Sequence, residues 1–256
     1  MHRFPIAVQP YTVREALSAD YFGTLEKLAA IGYRGIELGP PPEGVSVAEQ
    51  LRALDALGLQ VVGAHASFNS FEVDLERLLD YLHQAGGRYV TISLLFDSKE
   101  DALRKAARLN EFGEQCRAAN LTFLYHNHDW EFRKYDDEYV LDLLMRETDP
   151  ALVQLELDTY WVAKGGEDPA AYLAKWKGRC PLLHIKDMEP GEERFFAEIG
   201  EGVLDFPAIA QIAAEAGTEW LVVEQDASRR DPFESLAISY RNLAGLDLIR
   251  EPAPRA

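Results

Sequence analysis

Positive charge is scarce in this chain: 26 Lys and Arg stand against 43 Asp and Glu, for a formal net charge of −17. A protein that tracks nucleic acid needs clustered basic residues to displace phosphate counterions. No such cluster occurs, so no nucleic-acid partner is expected. Cysteine is nearly absent as well. Cys116 and Cys180 stand far apart and outside any CxxC pair, which argues against a disulfide framework and a thiolate metal site. Buried free thiols in a reducing compartment are expected instead. No apolar run reaches the roughly 18 residues of a membrane span. The opening MHRFPIAVQPYTV lacks the long apolar stretch of a signal peptide. These absences lead to the expectation of a cytoplasmic protein without a membrane partner. No Pro-, Gly- or Ser-rich linker divides the chain, so one domain covering 1–256 is expected, with Glu251–Ala256 as a frayed tail.

What is present is a regular alternation of short apolar runs with longer amphipathic segments. The candidate strands are Ile6–Gln9, Gly35–Leu38, Gln60–Ala64, Tyr89–Leu94, Thr122–His126, Val153–Asp158, Leu182–Ile185 and Leu221–Glu224. Helical patterns lie between them, among them Asp20–Ile31, Val47–Leu57, Asp74–Ala85, Lys99–Ala119 and Phe206–Ala216. Gly32, Gly58, Gly86, Asn120 and Gly217 each follow a helical pattern and admit the left-handed conformation of a helix end. Strand-then-helix repetition implies parallel pairing with right-handed crossovers. An open doubly wound sheet would carry a Gly-rich turn after its first strand, where this chain reads QPYTVRE. The isolated Gly200-Glu201-Gly202 is too short for a dinucleotide site. The predicted fold is a single-domain (β/α)8 TIM barrel, which needs roughly 250 residues.

In such a barrel the active site forms at the C-terminal ends of the strands. The fifth to eighth candidate strands end at His126, Asp158, His184 and Glu224. A lone rim histidine is usually a satisfied structural group, and a lone aspartate is often a helix N-cap. Four such residues at equivalent positions on neighbouring strands instead predict one divalent metal ion: Zn, Mn, Co, Fe or Mg. On the sixth strand Gln154, Glu156 and Asp158 share one face, and Val153, Leu155 and Leu157 the other. The apolar set must meet the helices, so the polar set points inward. Glu37, His65 and Lys186 are further strand-end candidates for binding substrate. Trp161 is a candidate apolar wall for a sugar ring, although a tryptophan in such a loop is often simply packed.

At these residues the chain resembles the xylose-isomerase-like superfamily of sugar phosphate isomerases and epimerases, which includes ketose 3-epimerases, inosose dehydratases and endonuclease IV. The resemblance runs from YRGIELG to WLVVEQD and is most specific in LDTYW, HIKDM followed by EIGEGVLDF, and VVEQD. It implies a metal site of Glu, Asp, His and Glu, carried here by His126, Asp158, His184 and Glu224. His126 stands where many relatives have glutamate, with His128 as the alternative ligand. The implied chemistry is isomerisation or epimerisation of a small carbohydrate at a carbon beside a carbonyl. Glu224 would be the base, and His128, Glu131 or Glu156 would supply the partner proton or contact substrate. Dehydration of a keto sugar or inosose is the alternative, and a sugar-binding barrel without catalysis a third. Endonuclease chemistry would need more strand-end histidines and a basic face. Oligomeric state is left open, a homodimer paired through loop surfaces being common among such barrels.

Overall fold

The computed structural model describes residues 2–253, so the end of the expected tail, 254–256, lies outside the described residues. Eight parallel strands close into a barrel in sequence order. They are Ile6–Val8, Gly35–Glu37, Gln60–Phe68, Tyr89–Ser93, Thr122–His126, Val153–Asp158, Leu182–Ile185 and Trp220–Val223. The first strand pairs with both the second and the last, which completes the closure. The expected barrel is therefore the observed one. Several strands stop a residue short of expectation: Gln9, Leu38, Leu94 and Glu224 lie just past the paired ends, where the chain turns into the mouth.

Aspartate caps account for part of the acidity, and serine caps two further helices. Asp20, Ser46, Asp74, Ser98, Asp168, Asp205 and Asp231 each accept a backbone N–H from the first turn of the helix they precede. This moves the helix starts predicted at Asp20 and Asp74 on by one residue. At the other ends Gly58, Gly86, Asn120 and Gly217 take φ of 67°, 69°, 56° and 83°, as their punctuation predicted.

Inside the barrel the side chains form layers. Ala7, Val62, Tyr89, Leu124, Leu182 and Val222 make an apolar floor, with Trp220 packed against it. Toward the C-terminal ends the inward positions become polar. Glu37, Thr91, His126, Glu156 and His184 are all buried there. The floor stabilises the barrel, and the polar layer is available for chemistry.

The third strand departs from the expected pattern. It runs on to Phe68, and its register slips: Ile36 pairs with Val61, but Glu37 pairs with Gly63. One extra residue in this strand lets both Val62 and His65 face the interior, which strict alternation forbids. Gly63 makes room for the bulge, since a Cβ there would lie 2.6 Å from the Tyr89 carbonyl oxygen.

Candidate active site and metal centre

His126, Asp158, His184 and Glu224 are all buried, and each offers a donor atom within 4.8 Å of the others'. Two imidazoles and two carboxylates suit a borderline or hard divalent ion, so the residues fit the group that the sequence implied. Burial and the neighbouring His184 push His126 well below the usual imidazole range, so the ring is neutral and one of its nitrogens offers a lone pair to an ion. Asp158 divides its carboxylate. Oδ1 accepts the Trp161 N–H at 3.0 Å and caps the helix Thr159–Lys164, while Oδ2 faces Lys186 Nζ at 3.0 Å. Asp158 is thus a helix cap through one oxygen, and the other is left to the candidate site.

Lys186 is 1% exposed and reaches three carboxylates: Asp158 at 3.0 Å, Glu224 at 2.6 Å and Asp226 at 2.7 Å. Burial alone would push Glu224 up, but Lys186 and His184 hold it well below the usual carboxylate range. It is therefore ionised at neutral pH. Asp158 is pushed up to about 6, burial outweighing the Lys186 and His184 charges.

His184 spans two partners. Its Nδ1 lies 3.1 Å from Glu224 Oε2 and its Nε2 lies 2.7 Å from Glu37 Oε2. Glu37 also accepts from Gln9 Nε2 at 3.1 Å and meets His65 Nε2 at 3.2 Å. Glu156, expected as a candidate partner acid facing the interior, lies against His65 at 3.0 Å and His126 at 3.3 Å.

The mouth above these groups is a cavity of about 460 Å³ whose lining includes His65, His126, His128 and Glu224. His128 stacks on Trp130 with ring centroids 4.0 Å apart, and Trp161 lies tilted against it at 5.3 Å. Burial, with Lys186 adding to it, pushes His128 down to about 3, so it is neutral. Glu131 is placed differently from expectation. It is fully buried behind the rim, where it accepts from the Tyr125 hydroxyl and from the His128 N–H, the latter at 2.9 Å. Burial pushes it up to about 8. A group held this way positions the His128 loop.

Sequence reasoning passed over Gln9, Tyr11, Phe68 and Asp226, all of which line the cavity. Asp226 was within reach of the same parity that found Lys186, being two residues past Glu224. Tyr11 and Phe68, 49% and 57% exposed, carried no signal, because a turn after the first strand and the unforeseen extension of the third strand bring them to the mouth. The HIKD and IGEG motifs proved to be one structure. Asp187 accepts backbone N–H groups from Met188, Gly200, Gly202 and Leu204 at 2.8–3.1 Å, tying that loop to the end of the seventh strand. Cys116 and Cys180 are buried and free, as expected, and burial raises both thiols to about 12.

Known proteins agree with this architecture. Inosose dehydratases of Clostridium botulinum (strain Eklund 17B / Type B) and Clostridium beijerinckii are 30% and 28% identical, with 82% of this chain and 84% of each relative covered. The crystal structure of a sugar phosphate isomerase/epimerase from Parabacteroides distasonis superposes with a TM-score of 0.81 at 24% identity, covering 96% of this chain and 95% of that one. A structure of the IOLI protein with a zinc atom gives 0.71 at 16% identity, covering 95% and 97%. Among the described residues no helix is long and apolar enough to cross a membrane. The sequence model of the xylose isomerase-like TIM barrel matches residues 25–243, and the chain belongs to that family.

Proposed function

We propose that this chain is a divalent-metal-dependent enzyme that moves a proton at the carbon beside the carbonyl of a keto sugar or keto cyclitol. The observation that carries the reading is the convergence of His126, Asp158, His184 and Glu224, with Glu224 ionised at the edge of the cavity. A divalent ion held by these four residues would supply Lewis-acid polarisation of the substrate carbonyl. Glu224 takes the proton from the adjacent carbon. Lys186 Nζ, 2.6 Å from Glu224, holds an oxygen of the substrate and offsets the negative charge that develops on it. The His128–Trp130 stack and Trp161 form an apolar wall for the ring.

Returning the proton to the other face of the same carbon gives an epimer, for which Glu156 or His128 would have to serve, and returning it to the former carbonyl carbon gives an isomer. Dehydration is the second reading, and Lys186 favours it. The proton that Glu224 takes can pass to the departing hydroxyl while Lys186, held protonated by its three carboxylates, hydrogen-bonds that oxygen, so one base and one adjacent cation complete an elimination. The inosose dehydratase relatives support the same reading.

The test is incubation with an inosose and with a 3-keto glucoside in deuterated water, followed by mass spectrometry and NMR of the products. Deuterium entering the carbon beside the carbonyl supports the shared step. Its absence with every keto substrate, from metal-loaded protein, would reject it in favour of a binding barrel. An epimer or isomer and a dehydrated product separate the two outcomes. Glu224→Gln should lower turnover by roughly 10²–10⁴-fold.

A further inference from the structure

Beside the four residues assigned above lies a second group with the chemistry of a metal site: Glu37, His65, Glu156 and His184, again with donor atoms within 4.8 Å of one another. Glu37 is 2% exposed and Glu156 is 0% exposed. Neither oxygen of Glu156 accepts an aligned hydrogen bond, although Oε2 lies 3.0 Å from His65 Nε2, 3.3 Å from His126 Nδ1 and 3.5 Å from His184 Nε2. Glu37 Oε1 likewise accepts none. A fully enclosed carboxylate among misaligned imidazole nitrogens is poorly satisfied by the protein alone.

Placement is a second, independent observation. Lys186 pairs with Asp158, Glu224 and Asp226, and Glu37 and Glu156 stand apart from it. Among the described residues the ion-pair partners of Glu37 and Glu156 are the rings of His65, His126 and His184. Imidazole nitrogens converging on two buried carboxylates make the donor set of a metal site.

We propose that Glu37, His65, Glu156 and His184 hold a second divalent cation, with His184 standing between the two ions. Its ring is placed for this, Nδ1 facing Glu224 and Nε2 facing Glu37. When both nitrogens ligate, the protons on the ring leave to solvent. Imidazole with carboxylate selects Zn, Mn, Co or Fe. His65, with 29% of its side chain exposed, opens onto the cavity and gives the ion a way in. The inference goes beyond the keto-sugar reading and does not rest on it, because ion binding is counted without any substrate.

The experiment is equilibrium dialysis of the full-length protein against Co²⁺, with bound metal counted by elemental mass spectrometry. Mn²⁺-loaded samples are examined by electron paramagnetic resonance. Wild type should hold two equivalents and show a spin-coupled Mn pair. Glu37→Gln and His65→Ala should each hold one, uncoupled, and Asp158→Asn should also fall to one. His65→Ala removes the least buried of the four side chains, which protects the test from a folding failure. A single equivalent in saturated wild type overturns the proposal. So does a His65→Ala protein that retains two. A Glu37→Gln protein whose single ion is merely bound roughly 10–100-fold more weakly also overturns it, because that is the signature of an orienting partner of His184. No bound metal at all overturns the proposal together with the first site.

Discussion

Replacing Lys186 with methionine tests the electrostatics of the site in one step. The side chain is fully buried, and its ammonium is the cation shared by Asp158, Glu224 and Asp226 at 2.6–3.0 Å. Methionine keeps most of the volume, so packing loss is small and the change isolates charge. Removing one partner of a buried ion pair costs about 3–5 kcal/mol. Three orphaned carboxylates would raise that, but proton uptake limits it, at about 1.4 kcal/mol for each unit of pKa shift. In the variant the carboxyl pKa values rise in the folded state. A raised carboxyl pKa leaves stability intact below the unfolded value near 4 and removes it as pH climbs through the folded value. The cost should therefore be about 3–5 kcal/mol at pH 8 in chelator, a loss of roughly 6–20 °C in melting temperature, and clearly smaller at pH 5. Added Zn²⁺ or Mn²⁺ should recover part of it, since an ion can replace the missing positive charge. Urea unfolding at both pH values, with and without metal, gives all four numbers. A cost below about 1 kcal/mol, or one equal at pH 5 and pH 8, would refute the claim that Lys186 neutralises this cluster.

Three other outcomes follow from the same geometry. Glu131, pushed up to about 8 by burial, should lower stability as pH rises from the ordinary carboxyl range through 8, so Glu131→Gln should melt higher than wild type at pH 9 and differ little at pH 5. Gly63→Ala drives a Cβ to 2.6 Å from the Tyr89 carbonyl oxygen and should cost about 1–3 kcal/mol in urea unfolding, an unchanged midpoint counting against the bulge's role. Asp187→Ala strips four backbone N–H groups of their acceptor, and each hydrogen bond to a charged group contributes about 1.5–3 kcal/mol. Non-additivity and water at the loop reduce the sum, so a loss of about 3–5 kcal/mol is expected, and proteolysis should begin within 189–204.

The barrel was readable in the sequence because its signals are local and repeated: apolar runs of strand length, helix-ending glycines, and inward polar parity on Gln154, Glu156 and Asp158. The four convergent residues were readable for the same reason, since parity and strand ends are one-dimensional. What remained hidden depends on the third dimension. No local signal announces that the third strand carries an extra residue, so the inward turn of His65 beside Glu37 and Glu156 follows only from the Glu37–Gly63 pairing. Glu131 looked like a rim carboxylate by position, yet Tyr125 draws it behind the wall. The grouping of Glu37, on the second strand, with His184, on the seventh, spans 147 residues and needs the closed barrel. The short helices Val140–Glu147 and Pro169–Lys175 have too few turns for a periodic stripe to stand out.

The divided carboxylate of Asp158 has a thermodynamic corollary. One oxygen fastens the helix that carries Tyr160 and Trp161, and the other belongs to the candidate ion site. Any ion that pulls on Oδ2 therefore pulls on the wall against which a sugar ring would rest. Affinity for the ion and affinity for the ring become reciprocal quantities, each raising or lowering the other by the same factor. Exchange of one metal for another in this barrel would then retune substrate preference without any change in the residues that touch the sugar.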